Sequence, residues 1–246
     1  MRTSKGPVQS APRFHRALGR ARFLLGTRRE TFRMIRALRR SAVGAATPEA
    51  AVEAAFETRV GSTSIVPTQV REEMVEFLAR VCGDRPRRVL EIGTDNGGTL
   101  YLLAWASTSD ARVLSIDIRK YDRLRTKLYN SLGRGRQRVT LHCGDSGSDA
   151  TRAAVERYFG GEPLDLLFID GDHAYESVRR DYELYAPLVR AGGTIAFHDI
   201  VDGPESSVGG VPRFWREVRP SLRHIVEIVH SDDQGGYGIG MGVRPE

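Results

Sequence analysis

The stretch Val89-Leu90-Glu91-Ile92-Gly93-Thr94-Asp95-Asn96-Gly97-Gly98-Thr99 decides how this 246-residue chain is read. A short apolar run over Arg88–Ile92 stops at Gly93, the pattern of a buried strand that ends in a sharp turn. Glycines just past such a strand let the backbone bend and approach a ligand with no Cβ in the way. Their spacing is G-x-x-x-G-G rather than the G-x-G-x-x-G that cradles a pyrophosphate, which disfavours a dinucleotide site. Glu91 puts a carboxylate at the end of a buried strand, where it needs a cationic or hydrogen-bond-donating partner.

Working outward from that turn, strand and helix patterns alternate. Pro67 fits the first turn of a preceding helix, with Val70, Met74, Phe77 and Val81 on one face and Gly83 as its stop. After the turn come a helix over 98–107, a strand over 112–116, a helix over 122–132 and a strand over 138–142. A helix over 149–158, the strongly apolar strand Leu164–Ile169, a helix over 175–189 and a strand over 194–197 follow. Two closely spaced strands, 225–229 and 237–243, then suit a hairpin. The expectation is an α/β fold, a doubly wound and mostly parallel sheet with one antiparallel strand.

Charge divides the chain. Residues 1–50 hold 12 of the 37 Lys and Arg but only two of the 31 Asp and Glu, Glu30 and Glu49. The remaining 25 bases and 29 acids form a mildly acidic body, so the net +6 is a basic arm on that body and no nucleic-acid footprint on the main domain. Phe14, Leu18, Ala21 and Leu25 recur at helical spacing between arginines, as do Phe32, Ile35 and Leu38. Such a basic amphipathic stretch is an N-terminal helical extension packed on its own domain or across a homo-oligomer. The alternatives are a weak contact with a membrane surface, a nucleic-acid anchor or a transit peptide. The expected division is 1–58, a partly disordered helical arm, and 59–246, the main domain. No window approaches the roughly 18 to 20 apolar residues of a transmembrane helix. The only cysteines, Cys82 and Cys143, suit a reducing, cytoplasmic compartment.

Each later strand end carries acids. Asp117 lies about 20 residues past the glycine turn, placed either to accept hydrogen bonds from ribose hydroxyls or to cap a helix. Asp145, in His142-Cys143-Gly144-Asp145-Ser146, either accepts an adenine amine or caps the helix that follows. Together, Glu91-Ile92-Gly93 with Gly97, then Asp117, then Gly144-Asp145 resemble the class I S-adenosylmethionine-dependent methyltransferases. The likeness covers residues 60 to 245 and implies a Rossmann-like, seven-stranded sheet whose last strand is antiparallel. It also implies S-adenosyl-L-methionine as cofactor, its methionine part in the 93–97 turn, its ribose on Asp117 and its adenine on Asp145. The implied cofactor-binding set is Glu91, Gly93, Thr94, Gly97, Asp117, Asp145 and Asp170.

Phe168-Ile169-Asp170-Gly171-Asp172-His173 and Phe197-His198-Asp199 end the next two strands. Neighbouring strands lie about 4.8 Å apart, which would aim Asp170 and Asp199 at one small volume. Two carboxylates so close repel unless a proton or cation lies between them, and a hard divalent ion such as Mg2+ suits oxygen ligands. His173 stands where an imidazole could take a proton from a hydroxyl, as the catalytic base. His198 is either a third metal ligand or a strand-end side chain, and Asp172 either joins the cluster or caps the helix near Ala174.

With Gly192-Gly193 and Gly210-Val211-Pro212-Arg213-Phe214-Trp215, this cluster resembles the metal-assisted small-molecule O-methyltransferases, the group of the rhamnosyl and macrolide-sugar enzymes and a cephalosporin-biosynthesis protein. Several sugar-modifying members have glutamate–aspartate where this chain has His198-Asp199. The resemblance implies O-methylation of a small-molecule hydroxyl, on a sugar or other natural-product moiety. Rival readings are a nucleic-acid methyltransferase anchored by the arm, a nicotinamide oxidoreductase and a non-catalytic cofactor-binding protein. Amino-group methylation of bases goes with an acid-Pro-Pro-aromatic motif, and that place here reads Asp170-Gly171-Asp172-His173.

Overall fold

The computed structural model describes residues 28–231 and 234–246. The stripe expected at Phe14, Leu18, Ala21 and Leu25 lies outside them. Helices α1 (Arg28–Gly44) and α2 (Pro48–Glu57) lead into a two-stranded hairpin, β1 (Arg59–Val60) and β2 (Thr63–Ser64). Then α3 (Arg71–Asp84), β3 (Arg88–Ile92), α4 (Gly98–Ala106), β4 (Arg112–Asp117), α5 (Arg123–Tyr129) and β5 (Arg138–Cys143) alternate. The alternation continues through α6 (Asp149–Phe159), β6 (Leu164–Ile169), α7 (Tyr175–Tyr185) and β7 (Val189–His198). Short helices α8 (Glu205–Val208) and α9 (Val211–Val218) precede the closing pair β8 (Arg223–Ile228) and β9 (Ile239–Val243).

The main sheet has seven strands in the order β5-β4-β3-β6-β7-β9-β8. Strands β3 to β7 pair in parallel, and β9 runs antiparallel to both of its neighbours. This is the expected Rossmann-like sheet with its single antiparallel strand. Its strands are apolar on both faces because each face is covered. Val89, Val113, Leu166 and Phe168 belong to one core, and Leu90, Leu114, Leu167 and Ile169 to the other. Met34, Leu38 and Ala42 of α1 and Ala51, Val52 and Ala55 of α2 are buried in the first of these cores. Val178, Phe214 and Trp215 fill the second.

Helix ends follow local chemistry. Asp122 accepts from the amides of Leu124 and Arg125, and Ser148 from that of Thr151, opening α5 and α6. Several expected boundaries move, the widest being β7, which begins at Val189 rather than at Thr194, and two of the moves have a local cause. The helix foreseen from Pro67 starts at Arg71, because residue 70 is extended and Pro67 packs against Gly98, where a Cβ would lie 2.5 Å from the proline ring. The helix foreseen over 175–189 ends at Tyr185 and passes into a 3-10 turn, Ala186–Leu188. Pro187 has no amide to donate and its ring would collide with the preceding turn of an α-helix. No described helix is long and apolar enough to cross a membrane.

Candidate active site

The chain steps from β3 outward through β4 to β5, then returns to lay β6 on the other side of β3. A ligand crevice forms at such a reversal, outside the carboxyl ends of the strands. Here a cavity of about 1270 Å3 opens there, lined by residues 92–96, Asp117, Asp145, Asp170, His173 and Asp199 among others. Glu91 and Gly97 are not part of its lining.

The glycine turn is held from behind. Gly93 has φ 95°, and a Cβ on it would sit 1.8 Å from the carbonyl oxygen of Asp170, so only glycine lets the β3 turn lie this close to β6. Asp117 Oδ2 accepts from the amides of Thr94 and Asp95, each at 3.1 Å, and from the Tyr121 hydroxyl at 2.6 Å. Its Oδ1 accepts from the amide of Arg119 at 2.7 Å. Asp117 therefore braces the turn, while Asp122 caps α5. Asp145 Oδ1 accepts from the amide of Gly147 at 2.9 Å, while Ser148 caps α6. Glu91 is fully buried: its Oε2 accepts from the Ser115 hydroxyl, which also meets Thr94 Oγ1 at 2.5 Å, and its Oε1 has no partner. Burial pushes its carboxyl well above the usual range against the opposing Ser115 hydrogen bond, and the charges of Asp170 and Asp117 add to the rise.

On the far side of the cavity, the ends of β6 and β7 bring Asp170, His173, His198 and Asp199 together. His198 Nδ1 lies 3.2 Å from Asp170 Oδ1 and 3.3 Å from Asp199 Oδ2. His173 Nε2 lies 3.2 Å from Asp199 Oδ2 and 3.9 Å from Asp170 Oδ1. Asp199 is buried and holds φ 61°, a left-handed backbone that aspartate adopts more readily than most residues. Burial opposes ionisation of Asp170, yet the His198 charge and its close contact, with His173 nearby, outweigh it and hold the carboxyl at about 2. The neighbouring Asp170 carboxylate, opposed by burial and aided by Asp199, raises His173 to about 9. Burial pulls His198 down, but the two carboxylates outweigh it and raise the ring to about 10.

Asp170, His173 and Asp199 each offer one ligand atom within 4.8 Å of the others, a spacing that could hold a metal ion. The imidazole in this trio is His173; His198, named with the ligands from the sequence, faces the same carboxylates, with its Nε2 buried and without a hydrogen-bond partner among the described residues. Asp172 reaches the first turn of α7 by accepting the Ser177 hydroxyl at 2.6 Å, and no backbone amide of the helix bonds to it among the described residues.

Three cavity-organising residues escaped sequence reasoning. Buried Gln69 donates its amide to Asp170 Oδ2 and accepts from the Thr99 hydroxyl at 3.0 Å. Only the NH2 end can face a carboxylate, so this network also fixes the orientation of the amide. Tyr237, at φ 61°, lines the cavity with its ring centroid 6.0 Å from that of His198. Glu73, on α3, accepts from the amides of His230 and Gly238, both at 3.1 Å, and from Gln234 Nε2 at 2.7 Å, which pins the loop carrying Tyr237.

Residues 90–200 match a family model described as a methyltransferase domain. The fold is similar to that of the O-methyltransferase TomG of Streptomyces achromogenes, with 21% identity and a TM-score of 0.53 over 70% of this chain and 78% of that one. An O-methyltransferase from Bacillus cereus gives 20% identity and a TM-score of 0.51 over 72% of this chain and 84% of that one. In sequence, 74 residues are 35% identical to an uncharacterized protein, R132, of Acanthamoeba polyphaga mimivirus, covering 30% of this chain and 29% of that relative's length. Residues 90–200 thus carry a methyltransferase domain, and the fold around them is similar to that of the two solved O-methyltransferases. The matched segment contains the glycine turn and every acid and histidine of the cluster described above.

Proposed function

We propose that the protein transfers a methyl group from S-adenosylmethionine to a hydroxyl of a small molecule, a sugar or another natural-product moiety, with a divalent cation, Mg2+ foremost, at the acid cluster. The observation that carries this reading is the convergence of Asp170, His173 and Asp199 within 4.8 Å at the cavity that also holds the glycine turn. The donor set fits the ion: two carboxylates and an imidazole suit a hard cation that keeps some waters. The similarity in fold to TomG and the Bacillus cereus enzyme, both O-methyltransferases, agrees with it. In this reading residues 59–246 carry the chemistry and residues 1–58 are accessory.

An aliphatic hydroxyl is a poor nucleophile at neutral pH. S-adenosylmethionine brings a methyl group already activated on a sulfonium, and a bound cation would neutralise the carboxylates and lower the pKa of a neighbouring hydroxyl. Asp170 and Asp199 would hold that cation, with His198 as the nitrogen ligand, which leaves the Nε2 lone pair of His173 for the proton. With the two carboxylates neutralised by the cation, the attraction that keeps a proton on His173 is removed, and its imidazole is positioned to take the proton of the hydroxyl. Its Nδ1 faces the carbonyl of Ser207, which can only accept, so Nδ1 carries the hydrogen and Nε2 is turned to the cluster. Its own carbonyl accepts from the amide of Gly210 at 2.8 Å, which fixes the backbone. Holding two reactants in line contributes about 7–11 kcal/mol in favourable cases, and the turn at Gly93 and the acids of β6 and β7 would supply that alignment.

The test is formation of S-adenosylhomocysteine with a panel of hydroxylated acceptors, with and without chelator. Activity should vanish with chelator and return with Mg2+. Full turnover in excess chelator removes the cation from the reading, and no turnover with any hydroxyl acceptor removes O-methylation.

A further inference from the structure

We propose that the outward face of α1 is a docking surface for an anionic lipid bilayer. One side of this helix is spent on the core: Met34, Ile35, Leu38 and Ala42 are buried. The opposite side carries Arg28, Arg29, Phe32, Arg33, Arg36, Arg39, Arg40 and Val43, all exposed. At 3.6 residues per turn these eight side chains fall in one continuous arc of roughly 140°. Within it, Phe32 and Val43 lie along the middle, and arginines flank them on both sides. Phe32 is 40% exposed and Val43 is 80% exposed, although both are apolar. Lys127 of α5 adds a further cation, its Nζ 4.4 Å from the Phe32 ring centroid.

Among the described residues these arginines are spent on no acid of the protein itself. Among the described residues none of the six forms an ion pair; Arg39 donates to the carbonyl of Ser131 at 3.3 Å, and Arg28 lies 5.9 Å from the Phe32 ring. The sole acid of the helix, Glu30, is turned out of the arc toward Gly61 of the small hairpin. The 27 residues before α1 add six more bases and no acid.

A row of cations with no acid beside it among the described residues suits a flat, negatively charged partner, and the two apolar side chains at its centre decide which kind. Against a nucleic-acid backbone Phe32 and Val43 would face phosphates and gain nothing. In a headgroup layer the arginines meet lipid phosphates while the two apolar tips enter the acyl boundary. The helix is about 25 Å long and held flat by its buried side, so the whole row can engage one surface at once.

The experiment is sedimentation of the full chain with vesicles of phosphatidylcholine alone or with about 30% phosphatidylserine, at roughly 0.1 M and 0.5 M NaCl. Binding is expected only to the anionic vesicles and only at the lower salt. Replacing Arg29, Arg33, Arg36 and Arg40 together by Gln should weaken it at least about tenfold, with melting temperature and S-adenosylhomocysteine binding unchanged. Should that variant fail to fold, Val43→Asp, a single change at an open position, should also lower vesicle binding. Several results would overturn the proposal: no binding to anionic vesicles, equal binding to neutral ones, undiminished binding by both variants, or a single-stranded RNA that binds more tightly than the vesicles.

Discussion

Gln69 holds Asp170 across 101 positions of sequence. Its amide takes Oδ2, so Oδ1 is the oxygen left toward the two histidines and the proposed cation. Gln69→Met keeps length and burial and removes both hydrogen bonds. Loss of such a second-layer partner typically weakens metal affinity by about 10–100-fold. Titration with Mn2+ in the presence of S-adenosylhomocysteine, followed by electron paramagnetic resonance, reads this directly. An unchanged Mn2+ affinity would detach Gln69 from the cation site.

His173→Ala should lower kcat by about 10²–10⁴-fold, the usual contribution of a general base. Binding of S-adenosylhomocysteine should change little, because the imidazole lies on the acid-cluster side of the cavity. Calorimetry for the cofactor and single-turnover kinetics for the reaction separate the two. Wild-type turnover by the variant would take the imidazole out of the chemistry.

Gly93→Ala should damage both stability and cofactor binding. The φ of 95° is strained for any L side chain, and the new methyl would overlap the Asp170 carbonyl at 1.8 Å. A destabilisation of about 2–4 kcal/mol is expected for enforced overlap with backbone. Melting curves with and without S-adenosylhomocysteine should show a lower Tm and a smaller ligand-induced rise. Retention of both would mean that β3 and β6 can part freely at this point.

Asp181 offers a pH test. Burial raises its carboxyl from 3.8 to about 6, opposed by a hydrogen bond to Ser146 and helped by the charges of Asp145 and Asp172. Between those two values the folded chain holds a proton that the unfolded chain has lost, so this group's contribution to stability falls as pH rises from about 4 to 6. Above pH 6 the cost of a buried carboxylate is fully present, on the order of 2–3 kcal/mol. Asp181→Asn should therefore be more stable than wild type in urea at about pH 7.5 and close to it at about pH 4. A variant equally destabilised at both pH values would contradict this.

Most of the parallel sheet was legible because its signals are local. The runs at Arg88–Ile92 and Leu164–Ile169, each ended by glycine or acid, matched the strands residue for residue. The acids and histidines of the cluster were legible for the same reason: each lies at a strand end or in the few residues just past it. Gln69 and Glu73 were not, because their partners lie more than 100 positions away and nothing in a lone glutamine or glutamate marks it. Tyr237 was read as part of a strand, whereas β9 begins at Ile239 and Tyr237 belongs to the loop before it. The buried side of α1 was half legible. Ile35 and Leu38 were found by their spacing, but Phe32, taken as part of the same stripe, is turned outward, and Met34 takes the inner place.

The clamp made by Glu73 has a bearing on how the protein is born. One carboxylate on an early helix gathers three donors from a loop that the ribosome delivers more than 150 residues later. The β3 turn can form while synthesis is still under way, whereas the wall at Tyr237 must wait for its last anchor at Gly238. Nascent chains would thus gain the donor side of the crevice first and its opposite wall only after Gly238 has emerged.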